Sequence, residues 1–283
     1  MPRSGYDGTD YGDWRLMAYA VSAFGVEWCL GSALGNTHYA PDGKIVINAL
    51  PFSRRSMVLA GKIFLVREET DIETIALKLR GYKTSETVEQ NGRKFELITE
   101  VQDLKIGADY LQGNFSQDNL ITIYHRGEVI PTPKTMVAPF IFNRVDSRIM
   151  LIVLEKKQKA NNVANSVSKI LFITTGQVVE ARISPETLRG FHEDNFEDTK
   201  IIFFDDVDVP NVNKLSLYGS ALGHTTLYTD YLKHGNLWYT VVKSRKYGYI
   251  VGLTRNCVVT IFSRIEEPEF INYVSKEIIP LIS

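Results

Sequence analysis

Leu79-Arg80-Gly81-Tyr82 returns as Leu188-Arg189-Gly190-Phe191, 109 residues further on. Three more blocks return in the same order at nearly the same spacing. Phe95, Val101, Tyr110 and Gly127 recur as Phe203, Val209, Tyr218 and Gly235 at an offset of 108. Arg148 recurs as Arg255, and Asn165-x-Val167-Ser168-Lys169 as Asn272-x-Val274-Ser275-Lys276, both at 107. One such match carries nothing. Ordered matches at one spacing are the mark of an internal repeat, and a missed repeat misassigns the whole fold. The chain therefore reads as an N-terminal extension over 1–57, a first α/β repeat over 58–171 and a second over 172–283.

The local signals fit that division. In the first copy, residues 62–67 form a short apolar run flanked by charge, as a strand does. Thr70-x-x-Glu73 has the form of a capping box, and Ile72, Ile75, Ala76 and Leu79 then share one helical face. Gly81 stands where a helix C-cap glycine belongs. A strand is expected over 95–104. A short helix is expected from Ser116, carrying Leu120, Ile121 and Tyr124 and ending at Gly127. Strands over 136–142 and 148–155 and a helix over 160–171 complete the unit. The second copy repeats the order. It has a strand over 178–183, a helix opened by Ser184-Pro185-Glu186 and closed by Gly190, and a strand over 200–204. A short helix over 225–234 and a meander over 237–243, 247–253 and 257–263 follow. Pro268 opens a last helix that stops before Pro280.

Each unit is thus β-α-β-α-β-β-α, an α+β fold with helices expected on one face of a largely antiparallel sheet. Two such units are expected about a pseudo-two-fold axis with a groove between them.

The totals bound the function. The chain has 283 residues, 44% of them hydrophobic, and its 32 Lys and Arg nearly cancel its 33 Asp and Glu. A strongly basic nucleic-acid binder and an acidic tail are both disfavoured. Two cysteines, Cys29 and Cys257, are too few for a disulfide framework or a thiolate metal site, which fits a reducing cytoplasm. The apolar run over 17–25 is too short to span a bilayer, and Asp7, Asp10 and Asp13 precede it where a secretory signal carries positive charge. The extension therefore reads as an accessory helix, with translation from Met57 as an alternative.

No G-x-x-x-x-G-K-[ST], G-x-G-x-x-G, G-x-S-x-G, H-E-x-x-H or C-x-x-C motif occurs, and no cofactor is implied. Three constellations remain. Asp205, Asp206 and Asp208 follow an apolar strand and have the oxygen chemistry of a hard-cation site, against an ordinary solvated strand end. Lys243, Arg245 and Lys246, beside Trp238, Tyr239 and Tyr249, combine phosphate-binding charge with stacking rings, against a plain hairpin tip. Arg148 and Arg255 occupy matched turns and suit a shared anion clasp, against local ties to their own turns. His192-Glu193-Asp194 reads as a loop. His125, His224 and His234 fall at the ends of short helices.

The expected function is a non-catalytic binding or regulatory protein that uses the groove for a ligand, nucleic acid or protein partner. The alternatives are a metal-assisted hydrolase built on the three aspartates, and a structural subunit or homo-oligomer whose sheet edges pair with another chain. No membrane association is expected.

Overall fold

Ile63 and Phe64 are neighbours in one strand, so their side chains leave it on opposite sides, and both are buried. A strand with apolar residues of both parities must be covered on both faces. That requirement organises the fold. The computed structural model describes residues 58–283 except 220, 221, 223 and 224. The readings made for the extension, for Cys29 and for His224 lie outside the described residues.

Among the described residues twelve strands form one sheet. They are β1 (Leu59–Val66), β2 (Lys83–Gln90), β3 (Arg93–Ile106), β4 (Tyr110–His125), β5 (Glu128–Val145) and β6 (Arg148–Val153), then β7 (Val178–Glu180), β8 (Ile201–Asp205), β9 (Leu215–Tyr218), β10 (Asn236–Lys243), β11 (Ile250–Thr254) and β12 (Val258–Ile261). The order is β2-β3-β4-β5-β6-β1-β12-β11-β10-β8-β9, and the pairings are antiparallel. β1 is the seam. One edge pairs with β6. The other is shared end to end by β12, along Leu59–Lys62, and by β7, along Phe64–Val66.

Helices α1 (Ile72–Leu79) and α2 (Lys157–Phe172) cover the face carrying Phe64, Val66, Leu151 and Val153. Helices α3 (Pro185–Asp194) and α5 (Glu267–Tyr273) pack in the core cluster of the opposite face, with Ile63, Met150 and Ile152, as does Tyr228 of α4 (Thr226–Leu232). The expectation of helices on one face is corrected: each half places its helices on a different side of the common sheet. Burying each of these large apolar side chains is worth about 1.5–3 kcal/mol, so both sides bind the layer together.

Other local expectations change as well. Residues 116–127 are strand and turn, not helix. Ile121, Thr122, Ile123 and Tyr124 are β-branched or aromatic and pair in register with Thr132, Pro131, Ile130 and Val129. Gly127 does not cap a helix. With Arg126 it forms a two-residue hairpin turn in which both φ angles are positive, +48° and +88°. Gly190 lies inside α3, which runs to Asp194 and ends at Asn195. The last helix passes into a π-helical turn (Val274–Ile278) and a 3-10 turn (Ile279–Leu281) that contains Pro280 instead of stopping before it.

Candidate functional site

Arg255 sits in the tight turn between β11 and β12, and its backbone is fixed from two sides. Its N–H donates to Trp238 O (3.0 Å), at the bulge that shifts the β8–β10 register, and its carbonyl accepts from Ile183 N (2.8 Å). The side chain then reaches the end of β8. There it forms an ion pair with Asp205 Oδ2, and its Nη1 lies 3.7 Å from Asp206 Oδ2. Asp206 has φ +51°, a left-handed turn that directs the chain away after the strand.

Arg255 and Asp205 line a pocket of about 580 Å³. It also contains Lys157 at the start of α2, Glu180 at the end of β7, Arg182, Ser184 at the N-cap of α3, and Ser283. The pocket therefore spans the seam, with residues from both halves. Asp205 Oδ1 is buried and has no hydrogen-bond partner. Burial raises the pKa of this carboxyl above its ordinary value, opposed by the Arg255 charge.

Glu180, in the pocket lining, is held by Lys62, which is 0% exposed in the middle of β1. Its Nζ donates to Asn161 Oδ1 (2.7 Å), pairs with Glu180, and lies 5.2 Å from the centre of the Phe64 ring. Burial lowers the Lys62 pKa, and Glu180 works against that shift. The Cys257 thiol is buried beside this group and pushed up to about 12, so it is protonated and a poor nucleophile. The Ser184 hydroxyl is taken by the Thr187 N–H (3.1 Å). The pocket thus offers charges and hydrogen-bonding groups for binding, while Ser184 caps α3 and the thiol lies outside the lining.

The structure disperses the other candidates. Arg148 Nη1 donates to Ile282 O (3.3 Å) and does not line this pocket. Asp205 and Asp206 turn to Arg255, while Asp208 Oδ1 lies 2.8 Å from His234 Nδ1, so the three aspartates do not converge. Among the described residues no group of three His, Cys, Asp or Glu is placed to hold a metal ion. Lys243, Arg245 and Lys246 each face an acid, Asp198 (3.8 Å), Glu197 (3.6 Å) and Glu277 (2.6 Å), so the hairpin's charge is balanced locally. His125 lies at the end of β4, not of a helix.

His192, read as a loop residue, is a buried part of α3 between Tyr228 and Thr199. The Lys62–Glu180–Asn161 group was not legible either, because its members lie 99 and 118 residues apart. A Lys at the flank of an apolar run is its only trace in the sequence.

No protein-family model matches this sequence, and no curated protein is significantly similar to it. Among the described residues no helix is long and apolar enough to cross a membrane.

Proposed function

We propose that this chain is a binding protein whose ligand occupies the seam pocket. The observation that carries the reading is Asp205 Oδ1, a buried acceptor with no partner beside a fixed guanidinium. A buried acceptor without a donor costs about 1–3 kcal/mol, which a bound donor recovers. Lys157 and Arg182 line the same pocket without a carboxylate partner among the described residues. The ligand class is a small polar molecule that presents an amine or hydroxyl to Asp205 and an acidic group to Lys157 and Arg182. Arg255 acts in this reading through Asp205, without Arg148.

We further infer the tandem duplication, with its pseudo-two-fold axis along β1. Supporting it, β6 and β12 flank β1, both antiparallel to it, and are followed by α2 and α5 on opposite faces. Arg148 and Arg255 also enter corresponding strands. The middle of the two halves differs, since Gly127 turns a hairpin while Gly235 links α4 to β10.

Native mass spectrometry of the full chain purified from its own host tests the binding reading. The expected result is a small molecule retained by the wild type and lost from Asp205→Asn and Arg255→Ala at unchanged fold. A wild-type protein that carries no small molecule defeats it.

A further inference from the structure

Beyond Gln117, β4 loses its neighbour. The β3–β4 ladder ends at Thr99 and Gln117, and the next donor, Ile98 N–H, goes to the Asp118 side chain (3.0 Å) instead of to β4 backbone. From there to the turn at Arg126–Gly127, β4 pairs only with β5 among the described strands, and β5 meets β6 only from Pro139 onwards. Among the described residues the distal hairpin is therefore a ribbon with no strand on either edge. Exposed apolar side chains stud it, Ile123 at 43%, Tyr124 at 74% and Val129 at 59%. A two-stranded ribbon is marginally stable in water on its own.

The two edges are not equivalent. The β4–β5 register runs without a bulge from Tyr110–Asn143 to His125–Glu128. Leu154 N–H reaches Pro139 O, so Pro139 directs its backbone groups away from β4. By alternation every odd position of β5 does the same. Pro131, Pro133 and Pro139 are all odd, and each lacks the outward N–H that a new strand would need. The outer edge of β5 is closed to pairing. On β4 the outward positions are Leu120, Thr122 and Tyr124. This edge, within Asn119–Tyr124, has no proline and no charge and is rich in strand-forming residues, the composition of a pairing template.

We propose that this edge pairs antiparallel with the same edge of a second copy of the chain, centred on Thr122. Two observations favour a second copy as the occupant. A two-fold at Thr122 sets Leu120 of each copy opposite Tyr124 of the other and Ile121 opposite Ile123, brings Arg126 level with Asp118, and opposes no like charges. The ribbon of each copy also offers one open edge and one edge closed by proline, so association through the ribbon stops at two and forms a closed dimer, not a fibre.

Sedimentation equilibrium of the full chain over a concentration series tests this. Wild type is expected to show a monomer–dimer equilibrium. Thr122→Pro removes the central outward N–H and leaves the β4–β5 ladder intact. The double variant Leu120→Lys with Tyr124→Lys sets lysines face to face across the two-fold at solvent-accessible positions. Each is expected to weaken dimerisation by roughly tenfold or more, with an unchanged far-ultraviolet circular dichroism spectrum. A wild type that stays monomeric at every concentration overturns the proposal. So does a dimer indifferent to the double variant, or association that continues beyond two.

Discussion

His192 Nδ1 lies 3.1 Å from the Tyr228 hydroxyl, inside the core of the second half. On the other side of the ring Nε2 lies 3.0 Å from Thr199 Oγ1, and that hydroxyl already donates to Phe196 O. Thr199 therefore accepts, Nε2 carries the proton, and Nδ1 accepts from Tyr228. A second proton, on Nδ1, would require the Tyr228 hydroxyl to turn its hydrogen to Glu193 Oε1, 3.4 Å away. Burial lowers the imidazole pKa from 6.5 to about 4, with Glu193 opposing the shift and Arg189 adding to it.

The sign of the pH dependence follows. Between pH 6.5 and 4 the unfolded chain binds a proton at His192 that the folded chain refuses. Stability from this group is complete above pH 6.5 and is lost as pH falls towards 4, by up to about 3 kcal/mol. Urea denaturation at a series of pH values is expected to show a shallower acid slope for His192→Gln than for wild type. Parallel slopes count against the assignment.

Lys62 and Glu180 form a pair with unequal surroundings, the lysine side chain 0% and the glutamate 38% exposed. Glu180→Gln leaves a buried ammonium with Asn161 as its remaining strong partner. Lys62→Met leaves a carboxylate that water can reach and fills the space with a side chain of similar length. Glu180→Gln is therefore expected to be the more destabilising, by about 1–3 kcal/mol, in chemical denaturation. Equal losses contradict this ordering.

Gly61 is set by packing. A Cβ there would stand 2.9 Å from two ring carbons of Phe270 and 3.2 Å from Val153 O. The ring can yield, whereas the carbonyl belongs to the β1–β6 ladder. Gly61→Ala is expected to cost about 1–3 kcal/mol. Adding Phe270→Leu should recover part of the ring clash, read as positive coupling in a double-mutant cycle.

Pro131 and Pro133 make a separate prediction. Replacing both by Thr restores two outward N–H groups on β5 and opens the second edge. Light scattering is expected to show assemblies larger than those of wild type, growing with concentration. No growth would mean that these prolines do not guard the edge.

Much of the outline was legible because it depends on local chemistry. Ser184 and Pro185 open α3 as their residue types dictate, with the Ser184 hydroxyl on the Thr187 N–H. At α1 the cap is Asp71, which accepts from Thr74 N, one residue past the expected Thr70. Residues 116–127 were misread because Leu120, Ile121 and Tyr124 also satisfy helical spacing, whereas the strand expected over 136–142 lies within β5. The run of β-branched residues, with prolines alternating at 131 and 133, held the contrary signal. The pocket was half legible. Arg255 and Asp205 were singled out, but for different partners, since which groups meet across the seam depends on strand order and not on local sequence.

The position of β1 has a consequence for how the protein is made. Lys62 pairs with Val153 on one edge and Val258 on the other, and Leu59 pairs with Ile261. The strand that leaves the ribosome early thus acquires its last hydrogen bonds from residues synthesised near the end. Until then a growing chain can complete only one edge of β1. Contacts so distant in sequence form slowly, and a bare strand edge invites the wrong neighbour. Translation that stops short of residue 258 should therefore yield an adhesive fragment in place of a working half-protein.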